Sequence, residues 1–425
     1  MYSTQKFFSN SFLASMPGLI SIFLSLLAVP LHLNFAGTDH YGQYIFLHLI
    51  SSFGFFLNFG IGKITTINIS KNRKKNKIAY SSISITLKIC LRILIFFAFI
   101  YASNFFLNFY SNLDLSIGAL GILLTVFFVT LESIFQGNHF FRGLMIINLV
   151  FYGFSLSLPS IFLYFFQYSY PIIFSVSILI KISVIAASLI YLTKNKHIQF
   201  HKLKNYVNFK SSKWFAISEL LNQIYYFSDK LLVKFFFGPA ALAIYSIPQQ
   251  LSGKLSVMSK GFSSVLLPSI SQSEEKSVVN KNFLLSIKLF TFLVPLLLFL
   301  IFQFYDWFLR IWLGSNYSFE ILQLLKIFSI VSWLSCLSHL FITYYEGSEN
   351  VKKNTNIEIY FLPIFLTLVI IASLTKSLII ISFIMLAKEV IIFFLRTFRL
   401  VNKITIIPYI YLTIVITCLC LYNQI

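Results

Sequence analysis

Twelve long apolar runs follow one another along this chain, at residues 10–34, 42–69, 80–107, 116–138, 143–166, 171–193, 213–237, 242–269, 283–304, 320–345, 357–374 and 378–397, with a further one at 404–422. Wound as a helix, about 17–25 apolar residues cross the hydrocarbon of a bilayer. Backbone in lipid finds no water, so it must pair its own N–H and C=O groups, as a helix does. Charged residues are 11% of the sequence, against roughly 25% in soluble domains, and mean hydropathy is +0.83. No water-soluble fold hides that much apolar surface. The expected class is an all-α integral membrane protein with twelve core transmembrane helices and an expected thirteenth outside the core.

A net charge of +20 raises nucleic-acid binding, and "KNRKKNK" at Lys71–Lys77 has the look of a basic arm. Topology accounts for it better. With the N-terminus in the cytoplasm, the inward segments hold twenty Lys/Arg: Lys6, five in 71–77, Arg142, six in 194–213, Lys276, Lys281, Lys352, Lys353, Arg396, Arg399 and Lys403. The outward segments hold two, Arg310 and Lys376. That imbalance sets orientation by the positive-inside rule. No separate basic domain with interleaved aromatics is present, so no nucleic-acid partner is expected.

Catalytic and cofactor chemistry find little support. Gly253-Lys254 suggests a phosphate loop, but Pro248 and Leu255 break the required frame and the context is a membrane helix, so no nucleotide is expected. His197 and His201 are too few for a metal site and read as loop residues; no metal or cofactor is expected. Cys90, Cys336, Cys418 and Cys420 have neither metal nor disulfide spacing and read as small apolar side chains. The run from Phe12 to Leu33 is too long for a cleaved signal and contains Pro17-Gly18 and Pro30, which predicts a kinked first helix.

Sliding the chain against itself by 201 residues brings Phe35 onto Phe236, Gly37 onto Gly238, Tyr44 onto Tyr245, Ser51 onto Ser252, Gly60 onto Gly261, Ile69 onto Ile270 and Ser70 onto Ser271. Both copies run from outside to inside, which predicts a parallel repeat about an axis along the membrane normal. Transporters that rock one half against another are built this way. The expected halves are 1–193 and 213–397, flanking a central cavity. They are joined by a basic linker at 194–212 and followed by an extension at 398–425.

The spans nearest this duplication carry charge. In "YFSDKLLVKFFFGPAALAIYS" (Tyr226–Ser246), Asp229, Lys230 and Lys234 interrupt an apolar segment. At about 100° per residue, Glu219, Asn222, Gln223, Tyr226 and Lys230 share one stripe, with Lys234 at its edge and Asp229 a quarter turn away. Lys234 near the outer end can snorkel to the interface, but Glu219, Asn222 and Gln223 cannot, so the stripe is expected to face protein or a water-filled cavity. In the next span Leu251, Leu255, Met258, Phe262 and Val265 form a packing face. Gln249, Ser252, Ser256, Lys260 and Ser263 oppose it, with Gln250 and Lys254 at the border.

Further cations within spans are Lys63, Lys88, Arg92, Lys181, Lys288, Lys326 and Lys388. Lys63 and Lys88 are expected to snorkel to the cytoplasmic interface; Arg92 and Lys181 are expected to join the cavity. Acids in spans are taken as Glu132, Glu219, Asp229 and Glu389, and adjacent Lys388 and Glu389 point in different directions and need not pair. The balance is positive, which suits an anionic cargo such as a phosphate or pyrophosphate headgroup.

The Tyr226–Leu251 stretch and "GFSSVLLPSIS" (Gly261–Ser271) resemble the seventh and eighth helices of Wzx-type polysaccharide (O-antigen) flippases. Those flippases belong to the multidrug/oligosaccharidyl-lipid/polysaccharide exporter superfamily, together with MATE drug exporters and the lipid II flippase. Phe35–Gly62 is similar to that family's first loop and second helix, and Ile311–Val331 to the start of its tenth. The resemblance implies a non-enzymatic flippase in the bacterial inner membrane. Its cargo would be undecaprenyl-pyrophosphate-linked oligosaccharide, working with membrane lipid, a polysaccharide polymerase and a chain-length regulator. Lys230, Lys260, Lys254, Lys234, Arg92 and Lys181 would then attract the pyrophosphate. Glu219, Asn222, Gln223, Tyr226, Asp229 and Gln249 would line the cavity or carry a coupling ion. A MATE-like drug exporter, expected to carry an acidic cavity, and a membrane-embedded glycan transferase or polymerase are the alternatives. The largest outer loop offers the latter only Asp306 and Arg310.

Overall fold

The computed structural model describes residues 4–71, 79–94, 112–165, 169–195, 209–272, 276–348 and 350–400. The expected helix at 404–422, His197 and His201, Cys418 and Cys420, and most of the 194–212 linker lie outside the described residues. The described chain is helical almost throughout. In the first half run α1 (Thr4–Ser52), α2 (Gly54–Leu57), α3 (Ile61–Lys71), α4 (79–94), α5 (Asn112–Gly137), α6 (Phe141–Asn148), α7 (Ser155–Phe165) and α8 (Tyr170–Lys194). In the second run α9 (Phe209–Phe237), α10 (Pro239–Gly253), α11 (Leu255–Gln272), α12 (Lys276–Phe302), α13 (Tyr305–Leu313), α14 (Phe319–Gly347), α15 (Val351–Leu374) and α16 (Leu378–Leu400). Among the described residues, seven helices are long and apolar enough to cross a membrane. The protein is a multi-pass membrane protein.

Several expected spans are interrupted for local reasons. The run 42–69 breaks at Asn58-Phe59-Gly60, where Phe59 and Gly60 have φ of 51° and 69°. The Asn58 side chain then starts α3 by accepting from the Gly62 amide at 2.8 Å. The run 242–269 divides at Gly253-Lys254 into α10 and α11. Between α6 and α7 the chain passes through a π-turn, Leu149–Phe154.

The duplication has a backbone counterpart. Gly37 (φ 84°, ψ 172°) interrupts α1, and Gly238 (φ 89°, ψ 177°) separates α9 from α10. Both occupy a region that only glycine populates readily. A Cβ added at either meets nothing within 4 Å, so the backbone alone penalises substitution. Gly37→Ala and Gly238→Ala are each expected to destabilise by about 1–3 kcal/mol, read as a lower melting temperature in detergent. Unchanged melting would show that these conformations are not required. The third glycine pair diverges, since Gly60 has positive φ while Gly261 lies within α11.

Packing divides the chain into two units, one of Ile20–Phe227 and one of Ser228–Ile425 with Met1–Leu19. In the first, α5 packs on α3 and α8. Asn58 ties α5 down by donating to the Val126 carbonyl and Thr130 Oγ1, at 3.0 and 2.9 Å. In the second, α14 is buried along most of its length among α10, α11, α12 and α16, and Trp333 Nε1 donates to the Phe290 carbonyl at 2.9 Å. The start of α1 lies on α11: Phe7 meets Phe262 edge-on at 5.9 Å. Of the expected packing face of that span, Phe262 and Val265 are buried.

Candidate functional site

The polar residues singled out from the sequence fall into both units. In Ile20–Phe227, Glu219 of α9 forms an ion pair with Lys63 of α3 at 2.6 Å. Lys63, expected to reach for the cytoplasmic interface, has its ammonium on this carboxylate. One turn on, Asn222 and Gln223 are half-buried, and Tyr226 is 52% exposed. Arg92 of α4 is exposed. Lys181 of α8 is enclosed at 5% exposure, donating to Ser51 Oγ at 2.9 Å with its ammonium over the Phe151 and Phe174 rings at 5.2 and 5.9 Å. Hydrogen bonding and aromatic faces make a cation tolerable there. Glu132, also in this unit, accepts from Asn148 Nδ2 at 2.9 Å and Tyr152 Oη at 3.4 Å.

In the second unit, Asp229 is fully buried. Its carboxylate accepts from Tyr245 Oη at 2.9 Å, Gln249 Nε2 at 3.1 Å and the Lys230 amide at 2.8 Å. The repeated tyrosine and the glutamine thus fasten α10 to α9 through this one acid. Tyr245 in turn stands edge-on to Phe328 of α14 at 5.0 Å. Lys230 is buried, Lys234 and Lys254 are half-buried and Lys260 is exposed. Ser252 accepts from Ser332 of α14 at 3.3 Å.

The profile of a family described as "Polysaccharide biosynthesis protein" matches residues 7–274, well over half of the chain. The chain belongs to this family. It is the flippase family of the multidrug/oligosaccharidyl-lipid/polysaccharide exporter superfamily. Solved structures agree on the fold. One is a MATE in the straight conformation: TM-score 0.70, 14% identity, covering 94% of this chain and 96% of that one. Another is the outward-facing conformation of a multidrug resistance MATE family transporter of the same superfamily: TM-score 0.67, 14% identity, covering 92% and 96%. A third is a superfamily transporter from Pyrococcus furiosus whose reversed pocket polarity suggested a different function: TM-score 0.69, 14% identity, covering 93% and 96%. No curated protein matches the chain.

Two charge pairs of this family member depart from the sequence expectation. Lys388 and Glu389 are neighbours on α16 and do pair, at 2.7 Å. Both are largely buried, and two long side chains 100° apart bend toward each other when lipid is the alternative. Arg396, expected among the orienting cytoplasmic cations, is 4% exposed and faces inward. Its guanidinium donates to Asn354 Oδ1 at 2.8 Å and forms an ion pair with Glu358 of α15. Asn354 Nδ2 also donates to Glu358, at 3.1 Å. Glu358 lies inside the expected span 357–374, so its presence there was the available signal.

Outside the spans, Asp306 accepts from Arg310 Nε at 2.8 Å and from Tyr317 Oη at 2.6 Å. These bonds hold its carboxyl below the usual carboxylate range. The acid that a glycan transferase would most readily use in this loop is thus already engaged.

Proposed function

We propose that this protein is a flippase that carries undecaprenyl-pyrophosphate-linked oligosaccharide from the cytoplasmic to the periplasmic leaflet of a bacterial inner membrane. It is read as a transporter of two six-helix halves working by alternating access, with its N-terminus in the cytoplasm. One observation carries the reading. Five acids on the membrane helices, Glu132, Glu219, Asp229, Glu358 and Glu389, each hold a hydrogen-bond or ion-pair partner, whereas Lys260 stands exposed on α11. The charge left to meet a cargo is positive, which favours a pyrophosphate over a cationic drug. The reversed pocket polarity of the Pyrococcus furiosus relative supports a departure from drug export in the same superfamily.

Lys230, Lys260, Lys254 and Lys234 are proposed to share the anion, several moderate contacts allowing it both to bind and to leave. Movement follows when the cargo binds inward and outward states with different affinity. The test is surface-glycan display in a flippase-null strain complemented with variants at matched protein levels. Lys230→Ala and Lys260→Ala are each expected to cut display about tenfold, a lost charge-assisted hydrogen bond being worth about 1.5–3 kcal/mol. The double variant should nearly abolish display, and Arg at either position should retain more activity than Ala. Full display by the double variant would remove this mechanism.

A further inference from the structure

Three histidines, His32, His40 and His48, stand eight residues apart along α1. His32 is fully buried, and both its ring nitrogens are engaged. Nδ1 lies 3.0 Å from Ser160 Oγ of α7, and Nε2 lies 2.9 Å from His40 Nδ1. The pair straddles Gly37, where α1 leaves helical geometry. Eight residues of straight helix would rise about 12 Å, so the kink at Gly37 is what brings the rings together. The matching break at Gly238 has the same backbone conformation, yet Val233 and Ala241 stand at the corresponding positions. Breaking the helix therefore does not need imidazoles. They are an addition made at the first break.

The surroundings are polar and aromatic. Tyr41 and Tyr44 of α1 place their rings 5.0 Å from His32, and Tyr170 of α8 lies 5.8 Å from His40. Tyr44 Oη donates to the Leu156 carbonyl at 2.9 Å and lies 3.4 Å from Ser177 Oγ of α8, which is 3.4 Å from His48 Nε2. Lys181, one turn beyond Ser177, is the cation nearest this cluster on α8, Lys194 standing at the helix's far end; exposed Asp39 adjoins His40 in the chain.

Two imidazole nitrogens 2.9 Å apart share one proton. With both rings neutral, one N–H donates across the gap. One added proton makes an imidazolium–imidazole pair, joined by a charge-assisted bond of roughly twice the strength. A second would put N–H groups on both facing nitrogens and drive them apart. Ser160 Oγ can donate to or accept from Nδ1, so it follows either state. His40 is half-buried, which gives a proton its route from solvent.

We propose that His32 and His40 form a proton-binding site, a clasp across the Gly37 break that takes up one proton and, when loaded, fixes the geometry of α1 there. The proposal is independent of the cargo, because its test needs none. Hydrogen exchange of amides 34–44 is followed in the purified full chain in detergent between about pH 5.5 and 8.5, the range in which histidine ordinarily titrates, with intrinsic exchange rates divided out. Exchange is expected to be about tenfold slower with the clasp loaded than neutral, the sign following from the stronger charge-assisted bond. His32→Gln and His40→Gln keep hydrogen-bonding capacity without titrating, so each should flatten the profile. A flat wild-type profile, or a wild-type response in either variant, overturns the proposal. Imidazole nitrogen spectra of the wild-type chain provide the check that needs no variant: uptake of one proton by the pair with the second suppressed supports it, and two independently titrating rings sink it.

Discussion

Arg396→Ala is expected to leave little folded protein in the membrane. Arg396 and Glu358 are 4% and 0% exposed, and Asn354 bridges them by hydrogen bonds to both. Tyr345 Oη adds a bond to the Arg396 carbonyl at 3.2 Å, tying α14 to the same place. Removing the guanidinium strands a carboxylate away from water, at a cost of about 3–5 kcal/mol. That is a large part of the roughly 5–15 kcal/mol that holds an ordinary domain together. The paired replacement Arg396→Met with Glu358→Gln removes both charges while leaving an oxygen for Asn354, and should recover most of the loss. Size-exclusion profiles of a fluorescent fusion and melting temperatures in detergent provide the measurement. Equal damage from the single and the paired change would mean that the stranded charge is not the cause.

Of three glycine substitutions on or near α11, Gly261→Ala and Gly18→Ala should be far more damaging than Gly253→Ala. A Cβ at Gly261 would lie 1.9 Å from Ser15 Oγ, 2.8 Å from the Ser15 amide nitrogen and 2.9 Å from the Ser11 carbonyl oxygen. Two of those atoms are backbone, so the helices themselves must part. Overpacking ordinarily costs about 1–3 kcal/mol, and backbone obstruction puts this site at the upper end. Gly18→Ala meets Val257 Cγ1 at 1.7 Å and Val257 Cβ at 2.5 Å, and since no rotamer moves a Cβ, the backbones must part there too. Gly253→Ala meets nothing within 4 Å and gains up to about 1 kcal/mol of helix propensity. Melting temperatures should therefore be clearly lower for Gly18→Ala and Gly261→Ala than for Gly253→Ala. Equal values for all three would contradict this packing.

Hydropathy alone was enough to read the membrane class, and a 201-residue offset was enough to align Gly37 with Gly238, whose backbones agree within a few degrees. Such features are local: an apolar run and a glycine carry their meaning without neighbours. The destinations of charged side chains are not local. Lys63 and Glu219 lie 156 positions apart and meet only because α3 and α9 share a unit. Arg396 stands at the inner end of the expected span 378–397 and counts as an interfacial cation until α15 presents Glu358. Helical phase placed Lys388 and Glu389 on different faces, but phase describes where a side chain starts, and long side chains end elsewhere. The stripe on α9 shows both cases. Glu219 is taken up by Lys63 and Asp229, off the stripe, by Tyr245 and Gln249, while Tyr226 is 52% exposed. Histidines eight apart in an apolar run were visible throughout; their contact depended on the kink between them.

The start of α1 has a consequence for how the chain is made. Residues up to Leu19 pack in the unit that begins at Ser228, with Gly18 against Val257 and Ser15 against Gly261. Between Gly18 and Val257 the ribosome must add 239 residues, which takes roughly 12–48 s at about 5–20 residues per second. For that interval the first helix is in the bilayer without the neighbour that will cover its serines and glycine. Lipid is a tolerable placeholder for Phe12 and Leu13, but it offers nothing to Ser15, whose hydroxyl turns to its own helix, toward the Ser11 carbonyl at 2.8 Å. A self-satisfied serine is therefore a way of waiting, and a helix made well before its partner is among the last to be finished.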